Sequence, residues 1–248
     1  MMRCRNTRSN KGDQGRGAGV GGSGIMRCYA ILLAAGFSRR FRGQNKLLAL
    51  FRGKPLARHT LELVCGMGCF EKVFFVYADE AVAALAQGLE VTAVYNPAPE
   101  KGQGGSARLG LMTAVQGEEE LTTEVHGGKK ERETEEVFFM FFPCDQPLLD
   151  QGTVRLLLDA ARPDHITEPF CVGGNHSPSL FSASFADELL ALKDGEHPRL
   201  LKARHPQALI MVEIADPSLL ADIDTVEDMK KTWGQGAGSG VRPLSPGP

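Results

Sequence analysis

At 248 residues, 42% hydrophobic and 23% charged with a formal charge of -2, the chain has core enough for one large globular domain. The near-neutral balance excludes the basic surface that nucleic acid demands, and no apolar run approaches the roughly 18 residues of a membrane span. The first 25 residues lack the apolar stretch of a signal peptide, so a cytoplasmic protein with reduced thiols at its six scattered cysteines is expected.

Residues 1–25 are rich in Gly, Arg, Ser and Asn and read as a disordered tail. Tyr29 to Ala35 has the length and apolarity of a strand covered on both faces, and Gly36 supplies a turn where it ends. Helical periodicity runs from Pro55 to Cys65, a strand from Lys72 to Tyr77, an alanine-rich helix from Glu80 to Gln87, a strand from Val91 to Tyr95 and a helix from Gly105 to Val115. The glutamate-rich stretch 117–136 reads as a solvated insertion or a charged extension of that helix. Val137 to Phe142 is a buried strand, and Asp150 caps a helix that ends at Ala161. A strand at Pro178 to Phe181, helices at Ser184 to Leu192 and Arg199 to Arg204, and a strand at Leu209 to Ile214 follow. Thr225 or Asp224 caps a last helix, and residues 233–248 read as a second disordered tail. Strands alternating with helices predict an α/β domain over residues 26–232, built on a mostly parallel mixed sheet. In such a sheet the ligand crevice lies beyond the carboxyl ends of the strands, where the loops after Ala35, Tyr95 and Phe142 converge.

The chemistry gathers at those loops. Ser38, Arg39, Arg40 and Lys46 follow Gly36, and a glycine turn with exposed N–H groups and nearby cations suits a triphosphate and the pyrophosphate that leaves it. No Gly-Lys-Ser/Thr ends the loop, so it is not a Walker A loop. Asp145 follows the most apolar strand, Phe138 to Phe142, and is a hard oxygen ligand placed to suit Mg²⁺ beside phosphates. Gly102, Gly104 and Ala107 fit a loose Gly-x-Gly-x-x-Ala dinucleotide pattern, but Pro97 and Pro99 separate it from its strand.

Leu33, Ala34, Ala35, Gly36, Ser38, Arg40, Phe41 and Lys46 match in order the signature loop of the MobA-like nucleotidyltransferases, which the chain resembles over residues 26–232. Asn96, Pro97, Gly102, Ser106, Gly110 and Leu111, the string Asp145-Gln146-Pro147, and Asp222-Ile223-Asp224-Thr225 are similar to motifs of its MocA branch, while Cys144, Gly104 and Val226 depart from them. The resemblance implies a Rossmann-like three-layer sandwich that transfers CMP from CTP to the molybdenum-pterin cofactor, a molybdopterin-type substrate, and releases pyrophosphate. It implies catalytic roles for Lys46, Arg40 and Asp145, and a nucleotide site on Leu33, Ala34, Ala35, Gly36, Ser38, Asn96, Gly102 and Ser106. Mg²⁺ is expected on Asp145 with Asp224 or Asp222, Asp224 being slightly preferred, and the second substrate beside His176 and Arg199. A molybdenum hydroxylase apoenzyme is a further expected partner. Ala35 stands where GTP-using MobA-type enzymes carry a second glycine, and its methyl is expected to disfavour a purine. A GTP-dependent guanylyltransferase and a non-catalytic pterin chaperone are the alternatives. A methylerythritol-phosphate cytidylyltransferase shares Leu33-Ala34-Ala35-Gly36 but has Pro-Lys-Gln where Asn45-Lys46-Leu47 occurs here.

Overall fold

The computed structural model describes residues 26–36, 45–123, 135–171 and 177–235. At its centre lies β1 (Met26–Ala34), whose Ala30, Ile31 and Leu32 are fully buried, as a strand covered on both faces requires. With β4 (Val73–Tyr77), β5 (Thr92–Tyr95), β6 (Glu136–Pro143), β7 (Ile166–Phe170), β8 (Ser179–Ser182) and β9 (Leu209–Glu213) it forms a seven-stranded sheet of order β5-β4-β1-β6-β8-β7-β9. β8 runs antiparallel to β6 and β7, and the other pairings are parallel. A two-stranded hairpin, β2 (Leu50–Phe51) and β3 (Lys54–Pro55), stands apart from it.

Helices cover both faces, which makes the architecture a three-layer α/β sandwich of the Rossmann-like kind. On one face α1 (Leu56–Met67) and α4 (Gln151–Ala160) press Ala57, Leu61, Val64, Val154 and Leu157 onto Leu32, Phe75, Met140 and Phe142. On the other, α3 (Gly102–Thr123), α5 (Ala186–Leu190) and α6 (Arg199–Arg204) cover Ile31, Val76, Phe141 and Phe181. At Gly110 a Cβ would lie 2.5 Å from the Ile31 side chain and 2.9 Å from that of Val76, so glycine lets α3 seat closely on β1 and β4.

Several boundaries differ from those expected. α3 starts at Gly102 and runs to Thr123, so the first part of the 117–136 stretch is a helix extension, and Glu136 already belongs to β6. The Glu80 to Gln87 helix is split into α2 (Glu80–Ala83) and a 3-10 turn at Ala84–Ala86. α7 (Val226–Gln235) carries Trp233, Gly234 and Gln235 as helix, not tail. Residues 1–25, 124–134 and 236–248 lie outside the described residues. β7 has no counterpart among the expected strands, because Glu168 and Pro169 break its apolar run. The strand pairs with β8 and β9, and Lys202 of α6 meets its buried Glu168 carboxylate at 2.5 Å and donates to Ser179 Oγ at 2.7 Å. Among the described residues, no helix is long and apolar enough to cross a membrane.

Candidate active site

The register brings the carboxyl ends of β1, β4, β5 and β6 side by side. Leu33 pairs with Pro143, Ala34 with Tyr77, and the Asn96 N–H donates to Tyr77 O at 2.7 Å. Gly36 lies just past β1, and the loop expected to turn after it lies outside the described residues. No atom of the described residues lies within 4 Å of where a Cβ on Gly36 would stand. Ala35, in contrast, is 5% exposed and packs in the core with Ile31, Val76 and Ala107.

Lys46 opens a 3-10 turn whose N-cap, Asn45, accepts from the Leu47 N–H at 3.1 Å and donates to Asp79 at 3.1 Å. That anchorage directs Lys46 Nζ between two carboxylates, Asp145 Oδ2 at 2.7 Å and Asp224 Oδ1 at 2.6 Å. Burial disfavours the ammonium, but Asp145 and Asp224 more than offset it and hold its pKa above the ordinary lysine value. Asp145 sits where β6 leaves the sheet. Its backbone carbonyl accepts from the Ile223 N–H at 2.9 Å, and this draws the 222–224 segment, far away in sequence, across the strand end. Gln146 is buried behind it and donates to Leu220 O at 3.1 Å and Ser177 O at 3.3 Å, and its side chain also hydrogen-bonds Asp222, so it ties two loops to the site. Thr225, not Asp224, caps α7: the Asp228 N–H donates to Thr225 Oγ1 at 3.0 Å and Asp228 accepts from the Thr225 N–H at 2.8 Å. Asp224 is thereby left to face Lys46.

Asp222 lies behind the pair. Burial first, then repulsion from Asp145 and Asp224, push its carboxyl up to about 7. An unfolded Asp titrates near about 3.9, so between these values the native state binds more protons than the unfolded one and stability falls as pH rises. Asp222→Asn is expected to abolish that slope and raise the melting temperature at neutral pH in metal-free buffer. Thermal denaturation from about pH 4 to about pH 7 checks it, and an unchanged slope would contradict it.

Among the described residues no group of three or more His, Cys, Asp or Glu is arranged as a ready metal cage. Mg²⁺ does not need one, since it commonly takes one or two carboxylates with substrate phosphates and water. Asp145 fits that use: its Oδ1 is buried and accepts no hydrogen bond from the described residues.

Across the crevice, Asn96 is buried after β5 and donates to Ser106 Oγ at 3.0 Å, while its Oδ1 accepts from the Ala98 N–H at 2.9 Å. Gly102 adopts φ 81°, and a Cβ on Gly104 would fall 1.7 Å from Glu196 O. The glycines therefore serve a contact between the start of α3 and the 193–197 loop, which accounts for the Gly-x-Gly pattern without a dinucleotide. The same loop is held by the Gly195 N–H donating to Lys101 O at 2.9 Å and by Arg108 pairing with Asp194 at 2.9 Å.

The structure thus brings Lys46, Asp145, Asp222 and Asp224 together on one side and Asn96, Gly102 and Ser106 on the other. Arg199 is exposed at the start of α6 and is not in contact with either group in the described interactions. Ser38, Arg40 and His176 lie outside the described residues. His197 and Gln103 were not singled out by sequence reasoning, yet His197 Nε2 meets Gln103 Oε1 at 2.5 Å between the loop and α3. No spacing signals this pair, because 94 positions separate its members.

The MobA-like NTP transferase domain model matches residues 30–208. The chain belongs to that family. A curated relative, nicotine blue oxidoreductase of Paenarthrobacter nicotinovorans, is 27% identical over 220 residues, spanning 85% of this chain and 98% of the relative. A solved nucleotidyl transferase from Methanothermobacter thermautotroptrophicus superposes with a TM-score of 0.66 at 19% identity over 84% of this chain and 97% of its own. The Rv0371C protein of Mycobacterium tuberculosis, solved in complex with manganese, gives 0.55 at 20% identity over 84% and 98%. The last two likenesses speak to the fold. Family membership makes the chain a nucleotidyltransferase-family protein with a nucleotide site, and divalent metal occurs in at least one structural neighbour.

Proposed function

We propose that the protein transfers CMP from CTP to a molybdopterin-type cofactor in the manner of MocA. The single observation that carries a phosphoryl-transfer reading is the Lys46 ammonium held between Asp145 and Asp224 at the carboxyl ends of the strands. The reaction needs alignment and charge stabilisation more than proton transfer. A terminal phosphate oxygen of the pterin attacks the α-phosphorus of CTP, and the bond from that phosphorus to the bridging oxygen breaks to release pyrophosphate. Lys46, with Arg40 from the signature loop, supports the charge that develops on the leaving group. Asp145 and Asp224, with Asp222 behind them, would hold Mg²⁺, which when bound neutralises the phosphates. The buried Asn96–Ser106 pair fixes the loop against which the nucleotide lies, with the backbone of Leu33 to Gly36 as the other wall and Gly102 at its margin, and Ser38 of the signature loop is assigned to nucleotide binding by its motif alone. His176 and Arg199 belong to the second-substrate side, and delivery to a molybdenum hydroxylase would follow release.

The cytidine choice rests on the MocA-like setting of Asp145, Asn96 and Ser106. With the Ala35 methyl packed in the core, its direct effect on the base is small. Ala35→Gly is expected to narrow a CTP-over-GTP preference in kcat/KM by no more than about ten-fold. Competition between the two nucleotides for turnover checks it, and a complete reversal to GTP would assign the choice to that methyl. A chaperone that only binds the pterin has no use for the Lys46 bridge. The oxidoreductase name of the 27% identical relative favours a second reading, a redox activity, for which a nicotinamide dinucleotide would be one electron donor to test. Oxidation of NADH or NADPH by the purified protein would support it, but the packing role of Gly104 removes the sequence pattern that pointed to such a cofactor.

A further inference from the structure

We infer that the buried cluster of Ile223, Phe51 and Leu56 sets the spacing of Lys46, Asp145 and Asp224, with Ile223 as the positioning residue for a divalent cation. This rests on the metal reading above and adds the side chains that hold its geometry.

The three charged groups stand on segments far apart in sequence, and each segment sends an apolar side chain into one small core. Phe51, Leu56 and Ile223 are fully buried there, with Ala49, Leu148, Val226 and Met229 packed against them. Ala49 ends the 3-10 turn that Lys46 opens, Phe51 follows in β2, Leu148 lies three residues after Asp145, and Ile223 immediately precedes Asp224. Val226 and Met229 belong to α7. This cluster is separate from the two larger cores that seat the helices on the sheet. Its packing therefore bears on the charged groups more than on the sheet.

Both halves of the cluster are fastened. On the hairpin side the Leu56 N–H donates to Ala49 O at 2.9 Å, and His59 Nε2 of α1 donates to Phe51 O at 2.8 Å with its ring edge-on to the Phe51 ring. On the other side the Ile223 N–H donates to Asp145 O at 2.9 Å while its side chain enters the cluster. Charge alone would not keep this arrangement. Asp145, Asp222 and Asp224 repel one another, and the lysine that bridges two of them stands on a flexible stem. Mg²⁺ accepts little error, since it demands near-octahedral oxygens at about 2.0–2.1 Å. Close-packed apolar side chains supply the rigidity that the charges lack.

The test is calorimetric titration of Mn²⁺ into wild type, Ile223→Ala, Ile223→Val and Leu157→Ala, with the melting temperature of each. Leu157→Ala opens a comparable cavity between α4 and the sheet, away from this cluster, and reports on loosening of the fold in general. Ile223→Ala is expected to weaken Mn²⁺ about ten-fold, the scale of losing a group that orients a metal ligand. Ile223→Val, which keeps most of the side chain, is expected to stay within about two-fold of wild type, as is Leu157→Ala despite its lower melting temperature. Should Ile223→Ala fail to fold, Phe51→Leu trims the same cluster from the hairpin side and carries the same expectation. Wild-type Mn²⁺ affinity in the trimmed variant, or an equal loss in Leu157→Ala, would overturn the inference and leave the metal reading intact. A wild type that binds no Mn²⁺ would overturn both.

Discussion

Asp145→Asn is expected to lower kcat by about a hundred- to a thousand-fold with little loss of folding, the scale typical of removing one preorganised charge from a reacting phosphate. The amide keeps the size of the side chain, and Lys46 retains Asp224 at 2.6 Å, so the loss falls on the charge presented by Asp145 and its buried Oδ1. A second readout separates metal from general electrostatics. Mg²⁺ is expected to raise the melting temperature of the wild type through binding to the native state, and to leave that of Asp145→Asn unchanged. Asp224→Asn should fall between the two, since that side chain is 51% exposed and pairs with Lys46 from the rim. A fully active Asp145→Asn protein would contradict the assignment.

Glu168→Gln is expected to cost about 3–5 kcal/mol of stability, the largest effect of any single change outside the crevice. Lys202 and Glu168 have only 13% and 7% of their side-chain surface exposed. Burial depresses the lysine, and Glu168 is the charge that counters it. Removing the carboxylate takes away the charge that counters the buried ammonium and leaves it the Ser179 hydroxyl, whereas Glu168→Leu combined with Lys202→Met removes both charges and is expected to recover most of the loss. Urea denaturation of the single and double variants measures the difference. A single variant as stable as wild type would show that the pair is not desolvated as its burial requires.

The fold was legible where the apolar pattern was strong. Tyr29 to Ala35 and Phe138 to Phe142 became the central pair β1 and β6, and Asp150 caps α4 as expected, accepting from the Thr153 N–H at 2.7 Å. β7 was not legible because the charge of its buried Glu168 is paired by a lysine 34 residues downstream, and no local pattern of polarity announces a charge that will be paired in the interior. At the site, the cationic loop and the acid after β6 could be read because each follows a buried strand directly. Their meeting at Lys46 could not, since 99 positions separate Lys46 from Asp145 and 178 separate it from Asp224. Ala35 shows the opposite failure: its position in the motif was clear, but the side alternation along the strand end sends its methyl into the core with Ala107.

The most direct measurement is pyrophosphate release by the purified protein with Mg²⁺ and the molybdopterin-type cofactor, each nucleoside triphosphate being supplied in turn. CTP is expected to give the highest kcat/KM, with one pyrophosphate released per cytidylylated pterin and no release when the pterin is omitted. Faster release with GTP, or none with any triphosphate, would contradict the account.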